Sequence, residues 1–200
     1  MLVHSFVPAT LANGPGRRSV VYFQGCSLHC PGCWNPDTHK FRGEEVTALD
    51  MVERFEEAKR LEPLDGVTFS GGEPMQQAEA LLEVMREIRR VAPAVSFGMF
   101  TGYAEHELAA GRYVTRQKAT VEQKRELWPP VRGLLDFAVM GRYDRTQPAM
   151  EPLRTSRNQQ LVLFSRRYQE GDFGPQLVEI RIEESGKTVL TGFPVLGIPT

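Results

Sequence analysis

All three cysteines of this 200-residue chain fall in one short stretch, Gly25-Cys26-Ser27-Leu28-His29-Cys30-Pro31-Gly32-Cys33-Trp34-Asn35. Their spacing is C-x3-C-x2-C, close enough for three thiolates to converge on one centre. A structural zinc site takes four protein ligands, and an iron–sulfur cluster usually takes four thiolates. Three cysteines without a fourth leave one position open, and an open position is where a substrate or cofactor can bind. On the cysteines alone, zinc stays a competing reading, with His29 or His39 as the fourth ligand.

A second set of unusual residues follows two other apolar runs. Ser70-Gly71-Gly72-Glu73-Pro74 follows Gly66–Phe69, and Thr101-Gly102-Tyr103 follows Ala94–Phe100. Period-2 and β-branched runs predict strands at Ser19–Gln24, Gly66–Ser70, Ala94–Phe100, Leu134–Met140 and Leu161–Phe164. Period-3.6 runs predict helices from Thr47 to about Leu61, from Gln76 to Val91 and from Glu105 to Ala110. Alternation of strand, loop and helix points to parallel strands with helices on one side. The fold class expected is α/β: a partial (open) parallel β/α barrel of about five to six strands, too few for the eightfold barrel. In such a fold the loops after the strands lie side by side, so the thiols, the glycine pair with its carboxylate and the Thr101 hydroxyl would face one cavity.

The remaining stretches carry less. Residues 1–18 end in the turn Asn13-Gly14-Pro15-Gly16, read either as a surface turn or as a loop with Arg17 and Arg18 free for an anion or partner. Residues 111–130 read as a loop with a short helix near 119–127, a lid or partner-facing insertion. Residues 178–182 and 188–191 alternate as a hairpin around Glu183-Glu184-Ser185-Gly186-Lys187, and Gly192 to Thr200 read as a tail. The chain thus divides into a core at 1–165 and an extension at 166–200 packed on it.

The C-x3-C-x2-C run after a first strand, with a Gly-Gly-Glu loop after a second, resembles the radical S-adenosylmethionine enzymes. That resemblance implies one [4Fe–4S] cluster held by Cys26, Cys30 and Cys33. It also implies S-adenosylmethionine on the open iron and reductive cleavage to a 5′-deoxyadenosyl radical. Gly71, Gly72 and Glu73 would receive the amino end of S-adenosylmethionine, with Thr101 and Asn158 as further contacts. Trp34, standing where tyrosine is expected, would pack over the cluster or the adenine. Asn13-Gly14-Pro15-Gly16-Arg17, Thr101-Gly102-Tyr103, Gly141-Arg142-Tyr143 and Ser156-Arg157-Asn158-Gln159 narrow the likeness. They resemble the activases of glycyl radical enzymes, particularly those serving anaerobic ribonucleoside-triphosphate reductase. The implied partners are a glycyl radical enzyme and an external electron donor such as flavodoxin. Two alternatives stay open: a radical enzyme acting on a small molecule or peptide, and a non-catalytic zinc- or cluster-binding module.

Composition excludes other classes. Net charge is -1, with 24% charged and 41% hydrophobic residues, so there is no broad attraction to nucleic acid or anionic membrane. No apolar run approaches the roughly 20 residues of a membrane span, and no signal peptide is visible. Free thiols predict a reducing cytoplasm. There is no Ser/His/Asp arrangement or phosphate-binding loop to support hydrolase or kinase chemistry.

Overall fold

The computed structural model describes residues 1–182, 186 and 188–193. Its centre is a seven-stranded sheet. Four strands are parallel: β2 (Arg18–Phe23), β4 (Gly66–Gly71), β5 (Ser96–Thr101) and β6 (Phe137–Met140). On one flank β1 (Leu2–Thr10) runs antiparallel to β2, and the two-residue β3 (Glu44–Glu45) pairs with Leu2 and Val3. On the other, β7 (Gln160–Leu163) runs antiparallel to β6. The architecture is therefore mixed α/β with a parallel-rich sheet, and antiparallel strands border both sides.

The helices lie on one face. α1 (Ala48–Leu61) begins at a capping box, in which Asp50 N–H donates to Thr47 Oγ1 while Thr47 N–H donates back to Asp50. Such a cap is worth about 1 kcal/mol. α2 (Ala78–Val91) buries Leu81, Leu82, Val84, Met85 and Ile88, as its period requires. It starts two residues later than the periodicity suggests, because Pro74–Gln77 forms a separate 3-10 turn. These side chains meet Val21, Phe23, Phe69, Phe97 and Met99 from the sheet, each contributing about 1.5–3 kcal/mol by burial.

Several expectations need correction. Residues 2–10 are a strand, not the approach to a turn; register irregularities at Val3/Ser5 and Val7/Thr10 break the alternation that would have revealed it. The helix expected near 119–127 is present but longer. After the short α3 (Glu105–Ala109), α4 (Val121–Leu134) runs through Pro129 and Pro130, which on propensity should have ended it. Buried Trp128 and Val131 anchor it in the same core as α2, so packing overrides the proline penalty. This also delays β6 to Phe137. Neither Arg17 nor Arg18 is free: Arg17 pairs with Glu62 at 2.5 Å, and Arg18 is wholly buried.

The C-terminal hairpin is present. β8 (Val178–Ile182) and β9 (Thr188–Gly192) form a two-stranded antiparallel sheet of their own. Most of its connecting turn, and the tail from residue 194, lie outside the described residues. The sheet's second face, away from the helices, carries Phe137 and Val139. There Phe173 and Phe193 from the C-terminal segment pack against them, with Tyr168 alongside.

Candidate functional site

Parallel β2, β4 and β5 end beside one another, and the loops leaving them meet. Gly25 accepts at its carbonyl from Glu73 N–H (2.9 Å), and Gly72 N–H donates to Phe23 O (2.8 Å). A Cβ on Gly72 would stand 2.4 Å from Gly25 O, and one on Gly71, whose φ is +95°, 2.6 Å from Phe23 N. The glycine pair is thus needed for backbone-to-backbone contact between the two loops. Gln76, fully buried, ties them further. Its Nε2 donates to Ser27 Oγ (2.7 Å) and Tyr103 OH (2.8 Å), while its Oε1 accepts from Ser27 N–H (2.9 Å). Sequence reasoning missed this residue; the only signal was its place just after Gly-Gly-Glu-Pro.

Cys26, Cys30, Cys33 and Trp34 line one cavity of about 290 Å³ together with Gly71, Gly72, Glu73 and Thr101. The site residues proposed from the sequence are therefore brought together, with one exception. Asn158 is exposed and outside the lining; its Nδ2 donates to Arg142 O (2.7 Å), and its neighbour Gln159 lines the cavity instead. Trp34 stands edge-to-face with Tyr143 (6.1 Å) and Phe193 (6.3 Å).

Glu73 is 1% exposed. Its Oε1 accepts from Met75 N–H (2.9 Å) and Thr101 Oγ1–H (2.8 Å), and its Oε2 accepts from Gly102 N–H (2.7 Å). Thr101 therefore meets this chain's own carboxylate. Burial pushes the acid up to about 7 against the pull of those donors. Burial likewise raises Cys26 to about 11, helped by the negative charge of Glu73 and then of Cys33, and raises Cys33, helped by Cys30.

His29 and His39 bring ring nitrogens within 3.2 Å of each other. Among the described residues, no three His, Cys, Asp or Glu side chains converge as ligands of a single ion do. A [4Fe–4S] cluster spreads its thiolates over separate irons, and the three cysteines stand around one cavity. No helix among the described residues is long and apolar enough to cross a membrane.

Residues 12–162 match the family model described as a 4Fe-4S single cluster domain. The chain is 41% identical over 90 residues to the pyruvate formate-lyase-activating enzyme of Clostridium pasteurianum, a match covering 42% of this chain and 37% of that protein. It is 31% identical over 117 residues to the anaerobic ribonucleoside-triphosphate reductase-activating protein of Escherichia coli (strain K12), covering 56% of this chain and 75% of that one. A pyruvate formate-lyase-activating enzyme of Listeria monocytogenes is 42% identical over 87 residues, 34% of its length.

Proposed function

Because the chain belongs to the 4Fe-4S single cluster domain family, we propose that it cleaves S-adenosylmethionine reductively and leaves a glycyl radical on a partner enzyme. Cys26, Cys30 and Cys33 hold one [4Fe–4S] cluster in this reading. When bound, the cluster supplies the electron that splits S-adenosylmethionine into methionine and a 5′-deoxyadenosyl radical. The observation that carries the reading is the single cavity, lined both by all three thiols and by the Gly71-Gly72-Glu73 loop.

The chain's own residues bind and orient. Glu73 offers a buried carboxylate to the methionyl ammonium, and an approaching cation draws its proton off. Thr101 and Gly102 hold that carboxylate in place. Trp34 gives an aromatic face for the adenine. Asn158 acts at a distance, fixing the loop through the Arg142 carbonyl. The sheet, in the same reading, curls as an open barrel around the cavity. The partner resembles the anaerobic reductase or pyruvate formate-lyase that the relatives' names specify. An external donor such as flavodoxin supplies the electrons. The protein works in the cytoplasm.

Anaerobic reconstitution tests this. The wild type should take up about four irons per chain and release 5′-deoxyadenosine with dithionite. With a candidate reductase it should give a glycyl radical doublet in electron paramagnetic resonance. Cys26→Ser, Cys30→Ser and Cys33→Ser should each abolish turnover. Uptake of one zinc without iron–sulfur absorbance would defeat the proposal.

A further inference from the structure

The segment that closes the cavity lies beyond the stretch the family model matches. Residues 12–162 are matched, yet Val189, Leu190, Thr191, Gly192 and Phe193 all line the cavity. Side chains along a strand point alternately to opposite faces. Consecutive residues can share one cavity only if the strand turns its edge toward it. The other edge of β9 pairs with β8, no residue of β8 lines the cavity, and the hairpin sheet has two strands. Among the described residues no strand pairs with the edge facing the cavity, which leaves its backbone N–H and C=O groups without a ladder partner.

The hairpin is fastened as a fixed wall. Thr191 Oγ1–H donates to Asn13 Oδ1 (2.9 Å), and the Tyr22 and Thr191 hydroxyls share a hydrogen bond (2.7 Å). Arg181 donates to Ala9 O (2.8 Å), and Leu11 N–H donates to Glu179 Oε1 (2.9 Å). Opposite β9, His4, Ser5 and Val7 of β1 also line the cavity, and β3 covers β1 only at Leu2 and Val3. The one cavity thus reaches from β1 and the edge of β9 to the cysteines. At its lip Leu190, 41% exposed, continues across the hairpin into Ile180 and Ile182, 62% and 72% exposed on the same face.

We infer that β9 is the docking strand for the radical-accepting segment of the partner, which enters extended and adds to its free edge. The inference rests on the proposed function, since it takes the occupant to be a glycine-bearing peptide. Main-chain pairing supplies affinity and register, and Leu190, the exposed apolar side chain of β9 itself, receives an apolar residue flanking the glycine. Glycine suits the point nearest the thiols because it brings no side chain into the cavity.

The test uses the anaerobically reconstituted full chain with S-adenosylmethionine. The probe is a peptide of about ten residues, a strand's length, alternating valine and threonine around one central glycine. Its binding should slow hydrogen exchange about tenfold at the β9 amides that do not pair with β8. Methylating the peptide's backbone nitrogens at every second position should weaken binding about tenfold in one phase and leave it unchanged in the other, as strand pairing requires. Leu190→Lys should weaken peptide binding without changing iron content. Unchanged β9 exchange, or equal loss in both methylation phases, would overturn the inference. So would β9 protection that grows with protein concentration alone, since the edge would then belong to a second copy. Release of 5′-deoxyadenosine in the same samples tells failure of this inference from failure of the proposed function.

Discussion

Two buried ionisable groups stand at opposite ends of the same parallel strands, and they are treated differently. Arg18 opens β2 at the end away from the cysteines. Its guanidinium donates to Thr68 Oγ1 and Ser96 Oγ, both at 2.7 Å, and to the carbonyls of Pro15, Val67 and Ser96. It lies over the Phe137 ring at 5.1 Å. Burial lowers it to about 10, so it stays charged at neutral pH, solvated by fixed dipoles. Glu73, at the end where the thiols lie, has three donors and no cationic side chain within ion-pair distance among the described residues, and it rises to about 7. One end is complete in itself and reads as stability. The other holds a carboxylate near its titration midpoint, where a cationic ligand changes its charge. That division matches the general placement of chemistry at the C-terminal ends of parallel strands.

Arg18→Lys should have the largest effect. Lysine keeps the charge but loses the fork that reaches six acceptors from one position. Several charge-assisted bonds would go, at a cost of about 3 kcal/mol, read from the urea midpoint. The rate of 5′-deoxyadenosine release per folded chain should stay within about twofold. Loss of turnover with stability intact would mean that this end also serves chemistry.

Glu73→Gln sharpens the other half. The native carboxyl holds its proton more tightly than the unfolded one, whose ordinary value is 4.5. Its contribution to stability is therefore fully present below about 4.5 and is lost as pH rises to about 7. The swing is on the order of 3 kcal/mol. The glutamine variant should lack this slope. It should also be about 1 kcal/mol less stable at low pH, because its amide NH₂ must face a donor at Thr101 or Gly102. S-adenosylmethionine should bind it more weakly while iron content survives. Unfolding curves across pH 4–8 with the same slope in both proteins would remove Glu73 as the poised group.

How much of this the sequence disclosed depends on the range of the interaction involved. The cysteine loop, the Gly-Gly-Glu loop and the helices at 48–61 and 78–91 were legible because spacing, turn chemistry and period are local. Arg18 was not: beside Asn-Gly-Pro-Gly it looked like an exposed loop residue, and only the pairing of β2 with β4, and of β4 with β5, buries it between Thr68 and Ser96. Gln76 and the edge of β9 were hidden for the same reason, since their partners are 49 and 169 positions away at Ser27 and Tyr22. Helix α4 was legible only near 119–127; its run to Leu134 was obscured by Pro129 and Pro130, whose local penalty is outweighed by burial of Trp128.

Arg142 offers the finest test of whether charge at the cysteine end is set locally. It leaves β6 at the rim and donates to both carboxylate oxygens of Glu107, at 3.1 and 2.8 Å. That hydrogen bonding holds Glu107 below the usual carboxylate range. The arginine side chain is 47% exposed, so water and salt screen the pair to no more than about 0.5 kcal/mol. Its field also reaches Glu73, but as the smallest of the effects acting there, behind burial and the three hydrogen bonds. Arg142→Gln should therefore leave the urea midpoint almost unmoved, and the stability slope between pH 4.5 and 7 should shift only slightly upward in pH. Salt should shrink even that shift, because a rim charge is screened and a buried hydrogen bond is not. A displacement of the slope as large as the one that Glu73→Gln removes would place control of the carboxylate at the rim rather than in its buried cradle. The contrast between the two ends of the strands would then be one of surface charge and not of burial.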